Sequence, residues 1–379
     1  MKVKSFKVNA SILEDGLVDE VKQTIIDNPE LFEDSEVVLM PDTHKTGGVP
    51  VGFTMTVPHK RIAPDFISSD ISCGMTSFLI KNWQPTKNEL KTLSFIIRDL
   101  VQVNKRWEYD GNITDLGTLG GGNHFLEIGV NGNDTLITVH SGSRGVGGEV
   151  FKKWKKIARE QYKDFIKEIR TQMLNEIEPK DRQEWLKKHK PLPRKIDFID
   201  LSFDKDLEKE FIRDYVGASH YAYNNRVHIL SVMLDYFGFT DSMYSTINCF
   251  HNYIDFDEET WVIRKGSIKA VKGETVIIPI NMRDGIIIGK VSDRGEFNNS
   301  LPHGAGRILS RTKAFEKLNI EQFKEDMKDV ISSTIVQETL DESPRAYKDI
   351  ESILNDIGND LTDIRVFKSV FNYKGIDKK

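Results

Sequence analysis

Nine histidines punctuate a chain that has only two cysteines, and five of the nine share a setting. His44, His124, His140, His251 and His303 lie in loops rich in Gly, Pro, Asp or Asn, each expected to close an apolar, strand-like run. Such loops carry sites on rigid scaffolds. His59, His189, His220 and His228 have duller surroundings and are expected to serve no site. The stretch Asp70-Ile71-Ser72-Cys73-Gly74 sets a carboxylate and a thiol three residues apart. A thiolate is soft and a carboxylate hard, and borderline metals accept both. Asp70, Cys73, His124, His140 and His251 could therefore hold one or two divalent ions. Taken singly, each has a plainer reading: a buried inert cysteine with a capping Asp, or a turn or core histidine.

His303 stands apart in "NNSLPHGAGRILSRTKAF", between Pro302 and Gly304, with Gly306 and Arg307 following. Glycine lets the backbone approach a ligand closely. An imidazole there could be a nucleophile, a metal ligand or an ordinary turn residue. Two glycine loops, "GTLGGGNH" and "HSGSRGVGGE", offer backbone N–H groups, and Arg144 and Arg307 offer planar forks for phosphate oxygens. The spacing of a Walker loop is absent, and "GIIIGKVS" reads as a strand.

The elements that must position these residues follow from periodicity. A helix is expected over "LVDEVKQTIID", then a strand over "SEVVLMPDTH". Helical spacing runs from Glu149 to Ile177 and again through "LEKEFIRDYVGASHYAYNNRVHILSVMLDYFG". Residues 151–195 carry 15 basic and 7 acidic side chains, so RNA could lie against them, or they could be a solvated face. Strand-like text returns in "WVIRKGSIKAVKGETVIIPI" and "GIIIGKV", and "IRVFKSVFNYKG" closes the chain as a strand. Strands on both sides of a helical middle predict a single large α+β domain, 1–379, with a basic helical insertion at 149–213. A net charge of −5 excludes a polycationic coat for nucleic acid, so any such surface is local. No apolar run approaches the ~18 residues of a membrane span, and "MKVKSFKVNASILEDG" lacks a signal peptide's apolar core. Two cysteines suit a reducing cytoplasm, where the protein is expected to reside.

The blocks "MPDTHKTGGVPVG", "DISCGM", "LGGGNHFLEIG", "HSGSRG", "HN", "RKGS", "PHGAGRILSR", "DESPRAYKDIE" and "NYKG" occur in the order found in the RtcB family of RNA-splicing ligases. From about residue 39 to the C-terminus the chain resembles that family, least so in 151–213. The resemblance implies an RtcB-type α+β fold. It also implies a ligase that joins RNA 3′-phosphate or 2′,3′-cyclic phosphate ends to 5′-hydroxyl ends, using GTP and Mn²⁺, with two ions expected. Asp70, Cys73, His124, His140 and His251 would be the metal ligands, His303 the guanylated histidine, and Asp42 an acid beside it. Asn123, Glu127, Asn252, Tyr347 and Lys374 match positions at the guanylate, with Glu127 and Lys374 on the guanine edge and Tyr347 stacked on the ring. Arg144 matches an RNA- or phosphate-binding arginine, and Arg307 is a second candidate.

Two departures stand out. Ser72 replaces a glycine common in the family, and Asn281 stands where a serine usually meets the guanylate. The chain is also shorter than most members. It resembles a branch found beside a release-factor homologue and implicated in ribosomal RNA repair. RNA repair or tRNA splicing is therefore the expected process, with an activator protein as a possible partner and no membrane. Two other readings remain. A metal-dependent phosphohydrolase acting on RNA ends would need the metal cluster and Arg144 but not His303. A silent RNA-binding paralogue would need neither metal nor nucleophile.

Overall fold

The computed structural model describes residues 3–10, 13–101, 105–109, 112–188, 196–240, 243–256, 260–292 and 297–376. Two sheets organise an α+β fold. The larger has seven strands in the order Tyr244–Phe250, Gly74–Ile80, Asp134–Ser141, Phe125–Asn131, Leu361–Lys374, Gly285–Val291, Thr275–Asn281. The smaller has five, in the order Ser5–Val8, Glu36–His44, Val51–Val57, Trp261–Lys265, Asn252–Asp255. The Gly74–Ile80 strand, GMTSFLI, is buried along its whole length, as expected of a strand covered on both faces. One of the crossings between the sheets takes a single residue: the larger sheet's strand ends at Phe250 and the smaller sheet's begins at Asn252, leaving His251 at the joint.

The Lys205–Phe237 helix lies against the larger sheet. Asp204 caps it, accepting from Asp206 and Leu207 N–H at 3.0 Å, and Gly238 ends it in the left-handed region at φ 74°. The Arg144–Asn175 helix begins five residues earlier than its apolar period suggests. The segment 149–213 is not helical throughout. It holds this helix, the Arg182–Lys188 helix and a short strand, Ile199–Asp200, paired with Arg61–Ile62. Trp154, Ala158, Ile199, Leu201 and Phe211 join the core of the smaller sheet, so the segment is stitched into the domain at both ends. Among the described residues no helix is long and apolar enough to cross a membrane.

Candidate active site

Strand register gathers the first cluster. Gly74 pairs with Phe250 on one side and Ser141 on the other, and His140 pairs with Phe125. Cys73, His251, His140 and His124 therefore emerge along one rim of three adjacent strand pairs, each step ≈ 4.8 Å wide. His124 immediately precedes its strand rather than closing one, contrary to expectation; the run that follows it, not the glycine loop before it, is the strand. Cys73 Sγ lies 3.3 Å from His124 Nε2 and 3.2 Å from His140 Nε2. His140 Nε2 lies 3.2 Å from His251 Nε2, and His124 Nε2 lies 3.0 Å from Asp70 Oδ2.

These spacings fit a metal. Two donors each about 2.1 Å from one ion are set roughly 3–3.5 Å apart. The donor set divides around the sulfur, with Asp70 and His124 on one side and His140 and His251 on the other. His124 Nδ1 is 2.8 Å from the Leu119 carbonyl, which only accepts, and 3.2 Å from Arg144 Nη1, which only donates; the shorter contact favours the proton on Nδ1, which leaves Nε2 its lone pair. Burial holds His140 and His251 well below the usual imidazole range, hence neutral and able to ligate. Burial and then the Asp70 charge push the Cys73 thiol up, so its thiolate calls for a cation. Burial alone would raise Asp70, but its bond to His124 and the Arg144 charge hold it below the usual carboxylate value.

The second component is His303, which follows the Ser300–Pro302 strand. Its Nδ1 lies 2.6 Å from Asp42 Oδ2 and 2.8 Å from the Gly266 carbonyl. Both partners accept only, so Nδ1 is protonated and the reactive lone pair sits on Nε2. Asp42 also accepts the His303 backbone N–H at 3.1 Å. The carboxylate is fully buried while the imidazole remains 15% exposed, enough for a substrate to reach it. The His303 ring centroid is 4.6 Å from that of His251, so the two imidazoles share a wall of the cleft. Gly306 explains the bare sequence around His303: at φ 74°, its hydrogen faces the Asp42 backbone, where a Cβ would come within 2.8 Å. His44 also lines the cleft, with Nδ1 2.9 Å from the Asp42 carbonyl.

The cleft extends over about 920 Å³ to a third group. Glu127 and Asn372 face each other across neighbouring strands, with Asn372 Nδ2 donating to Glu127 Oε2 at 2.7 Å. Glu127 Oε1 and Asn372 Oδ1 are buried without a hydrogen-bond partner. Burial pushes the Glu127 carboxyl up to about 8. Lys374 does not pair with Glu127; its Nζ is 2.7 Å from Glu342 Oε2 and 4.9 Å from the Phe125 ring centre. Tyr347 donates to the same Glu342 oxygen at 2.7 Å, and Arg307 reaches Glu342 Oε1 at 3.1 Å. Burial opposes ionisation of Glu342, but Lys374 and Arg307 overcome it and hold the carboxyl down at about 2.

The remaining candidates divide. Asn123 and Asn252 line the cleft, and Asn252 Oδ1 accepts from Gly266 N–H at 2.9 Å. Arg144 packs so tightly on Gly120 that a Cβ there would overlap its guanidinium, and its Nη1 lies 3.2 Å from His124 Nδ1. Arg307 reaches the cleft, but Nε and both Nη groups already hold Leu309, Glu342 and Asp341, and its guanidinium lies 5.0 Å from the Tyr347 ring centre. Its fork is thus built into the wall. Asn281 caps its own turn, accepting from Arg283 and Asp284 N–H at 3.0 and 2.9 Å and donating to Asp284. Glu342 and Asn372 were not singled out from the sequence. Asn372 was legible by strand alternation, two residues before Lys374; Glu342 carried no signal beyond lying in the same block as Tyr347.

The fold and the site together define an α+β protein with a histidine–thiol cluster suited to a metal beside a separately held imidazole. The family model for "tRNA-splicing ligase RtcB" matches residues 98–375. The chain belongs to the RtcB family. It is 27% identical to the RNA-splicing ligase RtcB of Escherichia coli strain K12, covering 88% of this chain and 89% of that protein. It is 26% identical to RNA-splicing ligase RtcB2 of an Escherichia coli strain, covering 84% and 82%. It is 24% identical to the tRNA-splicing ligase RtcB of Nanoarchaeum equitans, covering 84% and 83%. Asp42, Asp70 and Cys73 precede the segment that the family model matches, and the structure joins them to it.

Proposed function

We propose that this protein is a GTP- and Mn²⁺-dependent RNA ligase that joins 3′-phosphate or 2′,3′-cyclic phosphate ends to 5′-hydroxyl ends. The observation that carries the reading is His303, whose Nδ1 is held by two acceptors so that Nε2 faces the cleft as a nucleophile. A phosphohydrolase in which metal-bound water attacks the RNA end would not need it.

His303 Nε2 attacks the α-phosphorus of GTP; a P–N bond forms and pyrophosphate leaves. Asp42 keeps the proton on Nδ1 and stabilises the charge the ring acquires. A 3′-phosphate oxygen then attacks the adduct, freeing the imidazole and leaving GMP on the RNA end. The 5′-hydroxyl attacks that activated phosphate and expels GMP. A cyclic phosphate end is first opened by water. Asp70, Cys73, His124, His140 and His251 would hold Mn²⁺, two ions being expected, which would supply charge neutralisation and phosphate orientation. Glu127 Oε1 accepts from guanine, with Asn372 fixing the carboxyl and Lys374 facing O6; Tyr347 offers the ring face not covered by Arg307. Asn123 and Asn252 line the guanylate, and Arg144, held beside His124, binds phosphate. RNA repair or tRNA splicing in the cytoplasm is the process this chemistry serves, with or without an activator protein.

The test is incubation with labelled GTP and Mn²⁺, followed by RNA bearing 3′-phosphate and 5′-hydroxyl ends. The expected result is an acid-labile protein–GMP adduct that is consumed as the RNA is joined. GTP is expected to exceed ATP by about 10–100-fold, because adenine would leave Glu127 Oε1 without a donor at ~1–3 kcal/mol while Lys374 keeps Glu342. Release of phosphate from the RNA end without an adduct would favour the phosphohydrolase.

A further inference from the structure

The metal cluster rests on two residues that no motif singled out. Asn225 and Arg226 are adjacent on the Lys205–Phe237 helix, and both are fully buried. Asn225 Oδ1 accepts from Gly117 and Thr118 N–H at 2.8 and 3.1 Å, and its Nδ2 donates to the Thr118 carbonyl at 2.8 Å and to Ser141 Oγ at 3.0 Å. The next residue after Thr118 is Leu119, whose carbonyl lies against His124 Nδ1. Arg226 Nη1 donates to the Ser72 carbonyl at 3.1 Å and to the Ser141 carbonyl at 2.7 Å, and Nε donates to Thr76 Oγ1 at 2.9 Å. Ser72 precedes Cys73, and Ser141 follows His140.

One helical dipeptide thus ties the three segments that bear Cys73, His124 and His140. Ser72 itself sits in the left-handed region at φ 53°, and the same helix holds its hydroxyl through Ser219 Oγ at 2.5 Å. The Arg226 partners are two carbonyls, a hydroxyl and, at 3.5 Å, the Asn248 amide oxygen; none is a carboxylate. A buried cation without a bonded anion is a poor stabiliser, and apolar residues of similar volume would serve a core better. The arrangement makes sense as alignment of donors.

We infer that Asn225 and Arg226 are positioning residues that hold Cys73, His124 and His140 in the geometry that accepts a metal. The inference rests on the metal reading above. Its chemistry is local: backbone carbonyls and N–H groups next to the ligands are held in place, so the donor atoms converge without reorganisation.

The test is titration of the full-length metal-free protein with Co²⁺, followed by the thiolate-to-cobalt charge-transfer absorption, for the wild type, Asn225→Ala, Arg226→Lys and Arg226→Met. Melting temperatures are recorded without metal. The wild type is expected to show the thiolate band. Each variant is expected to bind Co²⁺ about 10–100-fold more weakly, with the band diminished or shifted. Arg226→Lys retains the charge and is expected to keep more affinity than Arg226→Met. Folded variants with wild-type affinity and spectrum would overturn the inference and assign the pair to the scaffold. If Arg226→Lys fails to fold, the decision passes to Asn225→Ala, which leaves no buried charge; failure of both to fold also assigns the pair to the scaffold. A wild type with no thiolate band would instead overturn the metal reading, and the inference with it.

Discussion

The cleft and the basic helix that begins at Arg144 are both rich in polar residues, yet the protein treats them oppositely. On the helix, cations meet acids from the same chain. Lys153 is 2.6 Å from both Glu210 and Asp214, Lys155 is 2.8 Å from Asp65, and Arg159 is 2.8 Å from Asp197. Lys152 pairs with Glu149, and Lys156 lies 3.8 Å from Glu160. In the cleft, by contrast, Glu127 Oε1 and Asn372 Oδ1 are buried with no hydrogen-bond partner. Unfilled bonding capacity is costly to bury and is kept where a ligand or a reaction uses it. Charge density alone marks no site, because it is neutralised wherever acids from neighbouring elements reach it.

The strongest way to break this contrast is to remove the His303 imidazole. His303→Ala is expected to lower adduct formation from GTP by at least ~10³-fold. It should still ligate RNA already carrying GMP at its 3′ end, because the last step does not use the imidazole. An adduct formed at the wild-type rate would place the nucleophile elsewhere.

Next is Glu342→Gln, which leaves Lys374 and Arg307 buried without their shared anion. A loss of ~3–5 kcal/mol in urea unfolding is expected. A loss under 1 kcal/mol would mean that these cations find other partners. Cys73→Ser sharpens the comparison from the metal side. Mn²⁺ affinity is expected to fall at least ~10-fold and ligation to cease, with the fold intact by circular dichroism. Full activity at low micromolar Mn²⁺ would exclude the sulfur as a ligand.

Glu127 gives a pH test. Its carboxyl titrates near 4.5 in the unfolded chain and is pushed up to about 8 in the folded one. The folded state therefore holds the proton more tightly. This contribution to stability is fully present below the unfolded value and is lost as pH rises through about 8. Melting temperature from pH 5 to 9 should decline more steeply in the wild type than in Glu127→Gln, and the same variant should erode the preference for GTP over ATP. Parallel profiles would show that Glu127 ionises freely.

The smallest effect is expected on the helix. Lys152→Ala with Lys156→Ala should change stability by no more than ~0.5 kcal/mol and leave adduct formation untouched. Charge reversal of Lys152, Lys153, Lys155 and Lys156 decides whether RNA also lies there. A flattened salt dependence of RNA binding would add this face to the interface, and an unchanged slope would leave it as scaffold.

The sequence by itself singled out most of the residues that the fold brings together at the cleft. Asp70 and Cys73, the loop histidines and His303 were visible because unusual side chains sit next to glycine at strand ends, a local pattern. The Leu17–Asp27 helix and the Glu36–His44 strand were legible for the same reason, since amphipathic period is written along the chain. Only the tertiary structure decided which polar groups are left open. Arg307 reads as a phosphate fork until Glu342, Asp341 and Leu309 occupy it, and only the fold shows that Lys374, which lines the cleft, is anchored by Glu342 rather than by Glu127. The lysines of the Arg144–Asn175 helix read as a patch until Asp65, Glu210 and Asp214 arrive from other elements. Asn225 and Arg226 look like any polar pair on a helix until the fold lays them against Ser72, Thr118 and Ser141, 84 to 154 positions away. Whether a polar group is satisfied depends on partners distant in sequence, and sequence order carries no record of those distances.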